Sequence, residues 1–130
     1  MRIRQITAIL LVFIIIFACE DQITSECDDE EVEYIMPAQF SAIQDVIFNE
    51  RCITCHSGSA PTGNLNLSSA TSYLQLMSKN LIVPGNSSLS TLYQKLNSTN
   101  PNSVMPPTGK IEQGLIDSVA AWIDKGAPNN

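Results

Sequence analysis

The sequence predicts a small all-α domain. Apolar residues recur at helical spacing in four short stretches, no run of any length alternates as a strand would, and clusters of Pro, Gly, Ser and Asn separate the stretches. A chain of 130 residues is about one domain. The folding part is shorter, because the first third of the chain has another character.

Met1-Arg2-Ile3-Arg4 places positive charge ahead of an apolar stretch from Ile6 to Ala18 that only Thr7 interrupts. A spanning helix needs roughly 20 apolar residues. The stretch instead fits the apolar region of a secretory signal peptide over residues 1–18. It ends in Ile16-Phe17-Ala18-Cys19, which resembles a bacterial lipobox. That resemblance implies that Cys19 becomes the lipidated first residue of an exported, membrane-anchored protein, periplasmic or at the cell surface. An ordinary cleaved signal or an uncleaved anchor are the alternatives.

Residues 19–36 read as a tether. Glu20, Asp21, Glu26, Asp28, Asp29, Glu30, Glu31 and Glu33 fall in this stretch with no basic residue among them, the pattern of a solvated, unstructured segment. The acidic excess belongs to this tether, whose eight acids outweigh Arg2 and Arg4 to leave the net charge of −6. From residue 37 to 130 the acids Asp45, Glu50, Glu112, Asp117 and Asp124 balance Arg51, Lys79, Lys95, Lys110 and Lys125. No basic patch exists, so nucleic acid is excluded as a partner.

The domain proper is expected over residues 37–130. Phe40, Ile43 and Ile47 are spaced as one face of a first helix, from Pro37 to Arg51, with Ser41 and Gln44 as its capping box. Ser69 opens a second helix from Ala70 to Ser78. After the Pro84-Gly85 turn, Ser87 or Ser88 caps a third helix with Leu89, Leu92, Tyr93 and Leu96 on one face. Pro101, Pro106 and Pro107 exclude an uninterrupted helix between Asn97 and Gly109. The last helix runs from Glu112 to Lys125, with Leu115, Val119, Trp122 and Ile123 on one face and Gly126 to stop it. Four short helices give a modest core, and domains this small often need a staple.

Cys52-Ile53-Thr54-Cys55-His56 supplies a candidate staple. Cys-x-x-Cys-His is the attachment signature for a c-type haem. Two thiols three positions apart on a turn reach the two vinyl groups at one porphyrin edge, and the next residue, His56, faces the iron as its proximal ligand. A zinc site wants four ligands, yet His56 is the only histidine and Cys19 and Cys27 sit far upstream. A thiol redox pair expects a βαβ setting, and nothing here reads as strands. Cys27 is left as a free thiol or as a partner for Cys19 where lipidation fails. With no second histidine, the sixth iron position falls to a methionine or stays open. Met36 precedes the motif, Met77 lies on a helix as core filler, and Met105 sits in an irregular segment braced by Pro106-Pro107. Met105 is the favoured distal ligand, because a rigid loop can hold a side chain over an iron free of helical constraint.

From about Phe40 to Pro128 the chain resembles a class I, single-haem cytochrome c domain of the bacterial lipoprotein and planctomycete type. The matching stretches are Cys52 to Gly58, Gly63 to Leu67, Val83 to Leu89, Met105-Pro106-Pro107 and Trp122 to Ala127. The resemblance implies one haem c held by thioether bonds at Cys52 and Cys55, iron between His56 and Met105, and first and last helices packed together near the haem edge. It also implies a proline carbonyl after the motif, with Pro61 the nearest, as acceptor for the second ring nitrogen of His56. Leu65, Leu67, Leu89 and Leu92 are expected to line the haem. The implied role is an electron carrier rather than an enzyme, exchanging electrons with redox partner proteins. A five-coordinate haem acting as a peroxidase-like enzyme or small-ligand sensor is the alternative, as is a haem-bearing docking module of a membrane oxidoreductase.

Overall fold

Four helices and no strand make up residues 36–130, the part of the chain that the computed structural model describes. The expected signal peptide, lipidation at Cys19, nearly all of the acidic tether, and Cys27 lie outside the described residues. Among the described residues no helix is long and apolar enough to cross a membrane.

Helix α1 opens with an α-helical turn, Phe40–Ile43, and continues as a π-helical stretch, Gln44–Cys52. Its start differs from the expected capping box. The N–H groups of Phe40 and Ser41 are satisfied by Asn130, at 3.0 Å from its side-chain oxygen and 2.8 Å from its backbone carbonyl. A helix end needs acceptors for its first N–H groups, and here a distant segment provides them. Gln44 is thereby free to turn inward. The π-helical winding ends with the Ile53 N–H on the Phe48 carbonyl at 3.0 Å, and such windings recur at functional sites.

Helix α2, Ser72–Ser78, starts two residues later than expected. Asn66 takes both the Ser68 N–H and the Ser68 hydroxyl, and the Ser72 N–H returns to the Ser68 carbonyl, so the chain turns before winding up. Helix α3, Thr91–Asn97, likewise begins after Ser88. Asn86 Oδ1 accepts the Leu89 N–H at 3.2 Å and the Ser88 hydroxyl at 2.8 Å, a local turn that competes with helix. Ser87 is drawn away to Asp124, through its N–H at 2.7 Å and its hydroxyl at 3.0 Å.

Helix α4, Gln113–Asp124, buries Leu115, Ile116, Val119, Trp122 and Ile123. It stops at Gly126, whose φ of 96° suits glycine. The Ala127 N–H returns to the Trp122 carbonyl and the Gly126 N–H to the Ile123 carbonyl, two reverse bonds that satisfy the final carbonyls. Helices α3 and α4 pack on each other.

The core centres on α1 and α4. The Phe40 ring lies 5.5 Å from Trp122, 5.1 Å from Tyr73 and 6.3 Å from Phe48, centroid to centroid. These spacings fall in the favourable range for aromatic pairs. Every polar tip there is answered: Trp122 Nε1 donates to the Pro128 carbonyl at 2.8 Å, and the Tyr73 hydroxyl to Ala127 at 2.9 Å.

Candidate functional site

Where α1 ends, the backbone makes one more turn. The N–H groups of Cys55 and His56 both reach the Cys52 carbonyl, at 3.1 and 2.9 Å. The chain then doubles back. Thr62 donates to the Cys55 carbonyl at 2.9 Å and Leu67 to the His56 carbonyl at 2.7 Å, so the loop from Ser57 to Asn66 is pinned at both ends.

His56 Nδ1 stands 3.0 Å from the Thr62 carbonyl oxygen. A carbonyl can only accept, so Nδ1 carries a proton, and in the neutral ring the lone pair is then on Nε2. The expected acceptor was Pro61. Its carbonyl instead closes the turn Thr62–Asn64 by accepting the Asn64 N–H at 2.9 Å, which leaves Thr62 to meet the ring.

Cys52 and Cys55 are free thiols, Cys52 half-buried and Cys55 exposed. Burial pushes the Cys52 thiol up to about 11, against the opposing pull of Arg51. A thiol built for disulfide exchange has a lowered pKa, and Cys52 is shifted the other way. Among the described residues no three His, Cys, Asp or Glu side chains gather as a metal site.

Both cysteines and His56 line a cavity of about 550 Å³, within the usual range for small-molecule and cofactor sites. Its wall is apolar, built from Leu65, Leu67, Leu76, Leu81, Leu92 and Leu96. Met105, Pro106 and Pro107 line it as well, and the Met105 N–H is held by the Lys95 carbonyl at 2.9 Å. The other described methionines lie elsewhere. Met36 is buried in the core, where its carbonyl accepts the Ser118 hydroxyl, and Met77 packs against the same core. Leu89 does not join the wall: it is 62% exposed, because α3 begins two residues after it.

One residue that supports the site, Gln44, was expected as part of the capping box and has another role. Gln44 is only 5% exposed and links three segments. Its Nε2 donates to the Leu67 carbonyl at 3.0 Å and to Asn49 at 2.7 Å, while its Oε1 accepts from the Ser72 hydroxyl at 2.5 Å. The sign was present. Gln44 occupies the fourth position of the apolar stripe Phe40, Ile43, Ile47, where a polar residue must bring its own partners. Through Leu67 it supports the strand of chain that holds the His56 carbonyl.

Residues 52–109 match the family model described as planctomycete cytochrome C. The matched stretch begins at Cys52 and runs past Met105, taking in the cavity-lining segments and leaving α1 and α4 largely outside it. No curated protein and no solved structure matches the chain. The match over this stretch and the helical fold of the described residues together support a cytochrome c-type domain.

Proposed function

We propose that this cytochrome c-type domain carries electrons on one haem, bound covalently through Cys52 and Cys55, with His56 and Met105 as the two iron ligands. One observation carries the reading: two thiols, an imidazole and a thioether line a single apolar cavity. The residues fit the group. The leucine wall suits a porphyrin face, His56 keeps Nε2 free for a metal, and both cysteines are unpaired. A bound haem supplies an iron that alternates between ferric and ferrous states. The protein's part is to exclude water with Leu65, Leu67 and Leu92, to fix the imidazole through Thr62, and to hold Met105 by its bond to Lys95. Cytochrome c domains are typically exported. The apolar segment at residues 6–18 and Cys19 support export and lipid anchoring, with redox proteins as partners.

Expression alongside cytochrome c maturation machinery tests the reading. The expected product gains the mass of one haem through denaturation and shows a low-spin spectrum with the weak sulfur-to-iron band. Met105→Ala is expected to abolish that band and leave the covalent haem in place. A high-spin wild-type spectrum would remove Met105 as ligand and favour a five-coordinate enzyme or sensor. Absence of covalent haem would overturn the proposal.

A further inference from the structure

The charge around the cavity is one-sided. Arg51, Lys79 and Lys95 line it, whereas Asp45, Glu50, Glu112, Asp117 and Asp124 do not. Arg51 already faces Glu112 at 3.2 Å. Neither lysine has an ion-pair partner among the described residues. Two lysines therefore line an apolar cavity that has no Asp or Glu among its lining residues, an arrangement that a bound anion would improve.

The lysines are also brought to the same region by the fold. Lys79 follows the last turn of α2, and Lys95 lies in the last turn of α3. The Leu92 N–H bonds to the Leu81 carbonyl at 3.1 Å, which draws the segment after Lys79 onto α3. Lys95 Nζ donates to Ser103 Oγ at 3.3 Å, restricting an otherwise free side chain. Its backbone carbonyl holds Met105.

We propose that Lys79 and Lys95 bind the two carboxylates of the apolar, planar group that fills this cavity. The inference rests on the haem reading above, since haem pairs an apolar ring with two propionates. It gives Lys95 two tasks, with its ammonium on a carboxylate and its carbonyl on the loop that bears Met105. It also has a redox consequence. Positive charge beside the iron disfavours the ferric state, so these lysines raise the reduction potential.

The test uses the haem-loaded protein. Brief acetylation with acetic anhydride, read residue by residue by mass spectrometry, is expected to modify Lys79 several-fold more slowly than Lys110 and Lys125. All three are exposed in the protein alone, so the difference reports the bound group and not the fold. Lys79→Gln and Lys95→Gln are each expected to lower the midpoint potential, and Lys95→Arg to restore it. Equal acetylation of the three lysines, with potentials unchanged in both Gln variants, would overturn the assignment while leaving the haem in place. A chain that gains no haem mass fails at the earlier step and takes this proposal with it.

Discussion

The two sides of this domain solve the burial problem differently. On the α1–α4 side, Phe40, Phe48, Tyr73 and Trp122 fill the space with protein, and the Tyr73 hydroxyl and Trp122 indole N–H find protein partners. On the other side, leucines from four segments face a cavity of about 550 Å³. Apolar walls around a hollow forfeit the dispersion contacts that a filled interior gains. The packed side is thus self-sufficient, and the hollow side is built for an occupant. The contrast explains how a small domain can keep a large cavity: its stability is concentrated elsewhere.

The strongest way to break this contrast is at Trp122, which is fully buried. Trp122→Ala is expected to cost about 3–5 kcal/mol, by the usual scale for deleting a buried aromatic. Chemical denaturation checks it, and the loss should be of similar size with and without haem. A loss seen only in the haem-free protein would show that the packed side leans on the occupant after all.

Leu67 sharpens the same comparison from the hollow side. It is buried, yet it lines the cavity. With haem bound, Leu67→Ala is expected to cost about 2–5 kcal/mol, as for other buried leucines. Protein packing alone already leaves Leu67 only 3% exposed, so without haem the cost should fall only by the dispersion contacts that haem adds. Denaturation of both forms gives the two numbers. Equal costs would mean that the cavity wall packs against protein and not against a ligand.

Gln44 lies between the two regions. Gln44→Leu keeps the volume but strips the Ser72 hydroxyl and the Leu67 carbonyl of their buried partner. Unpaired buried groups cost about 1–3 kcal/mol. Because Leu67 N–H holds the His56 carbonyl, the variant is also expected to shift the haem spectrum, whereas Trp122→Ala should leave it nearly unchanged. An unaltered spectrum in Gln44→Leu would reduce Gln44 to a structural residue.

What could be read in advance follows from range. Cys52, Cys55 and His56 declare themselves by spacing alone, and the stripe Leu115, Val119, Trp122 and Ile123 marks α4 because its period is local. Gly126 was legible for the same reason, being a residue type that a positive φ requires. The errors came from competition that spacing does not express. Leu89 fits a helical face, but Asn86 captures its N–H and delays α3. Ser41 and Gln44 have capping-box spacing, but Asn130 reaches the N–H groups of Phe40 and Ser41 from 90 residues away in the case of Phe40. Thr62 replaced Pro61 beside His56 because a tight turn took up the proline carbonyl. In each case a hydrogen-bond partner was chosen by three-dimensional proximity.

The smallest expected effect is at the one ion pair that joins the two regions among the described residues. Arg51, at the cavity end of α1, meets Glu112, just ahead of α4, at 3.2 Å. The Glu112 carboxyl is held below its ordinary value of 4.5, first by its own backbone N–H and then by Arg51, while desolvation opposes both. A carboxylate with a lowered pKa in the folded state contributes its stability above the ordinary carboxylate range. That contribution is lost as pH falls through the lowered value. Both partners are solvent-exposed, so water and salt screen the attraction. Glu112→Gln is therefore expected to leave the denaturation midpoint close to wild type at pH 7. Any difference should shrink as pH falls through that lowered value, where the wild-type carboxylate also takes up a proton, and in about 1 M salt, where the screening length is only about 3 Å. A loss as large as that of Gln44→Leu, persisting in high salt, would show that the seam between the packed and hollow sides depends on this pair. The two regions would then have to be treated as one cooperative unit clamped by charge, and not as a packed half supporting a hollow one.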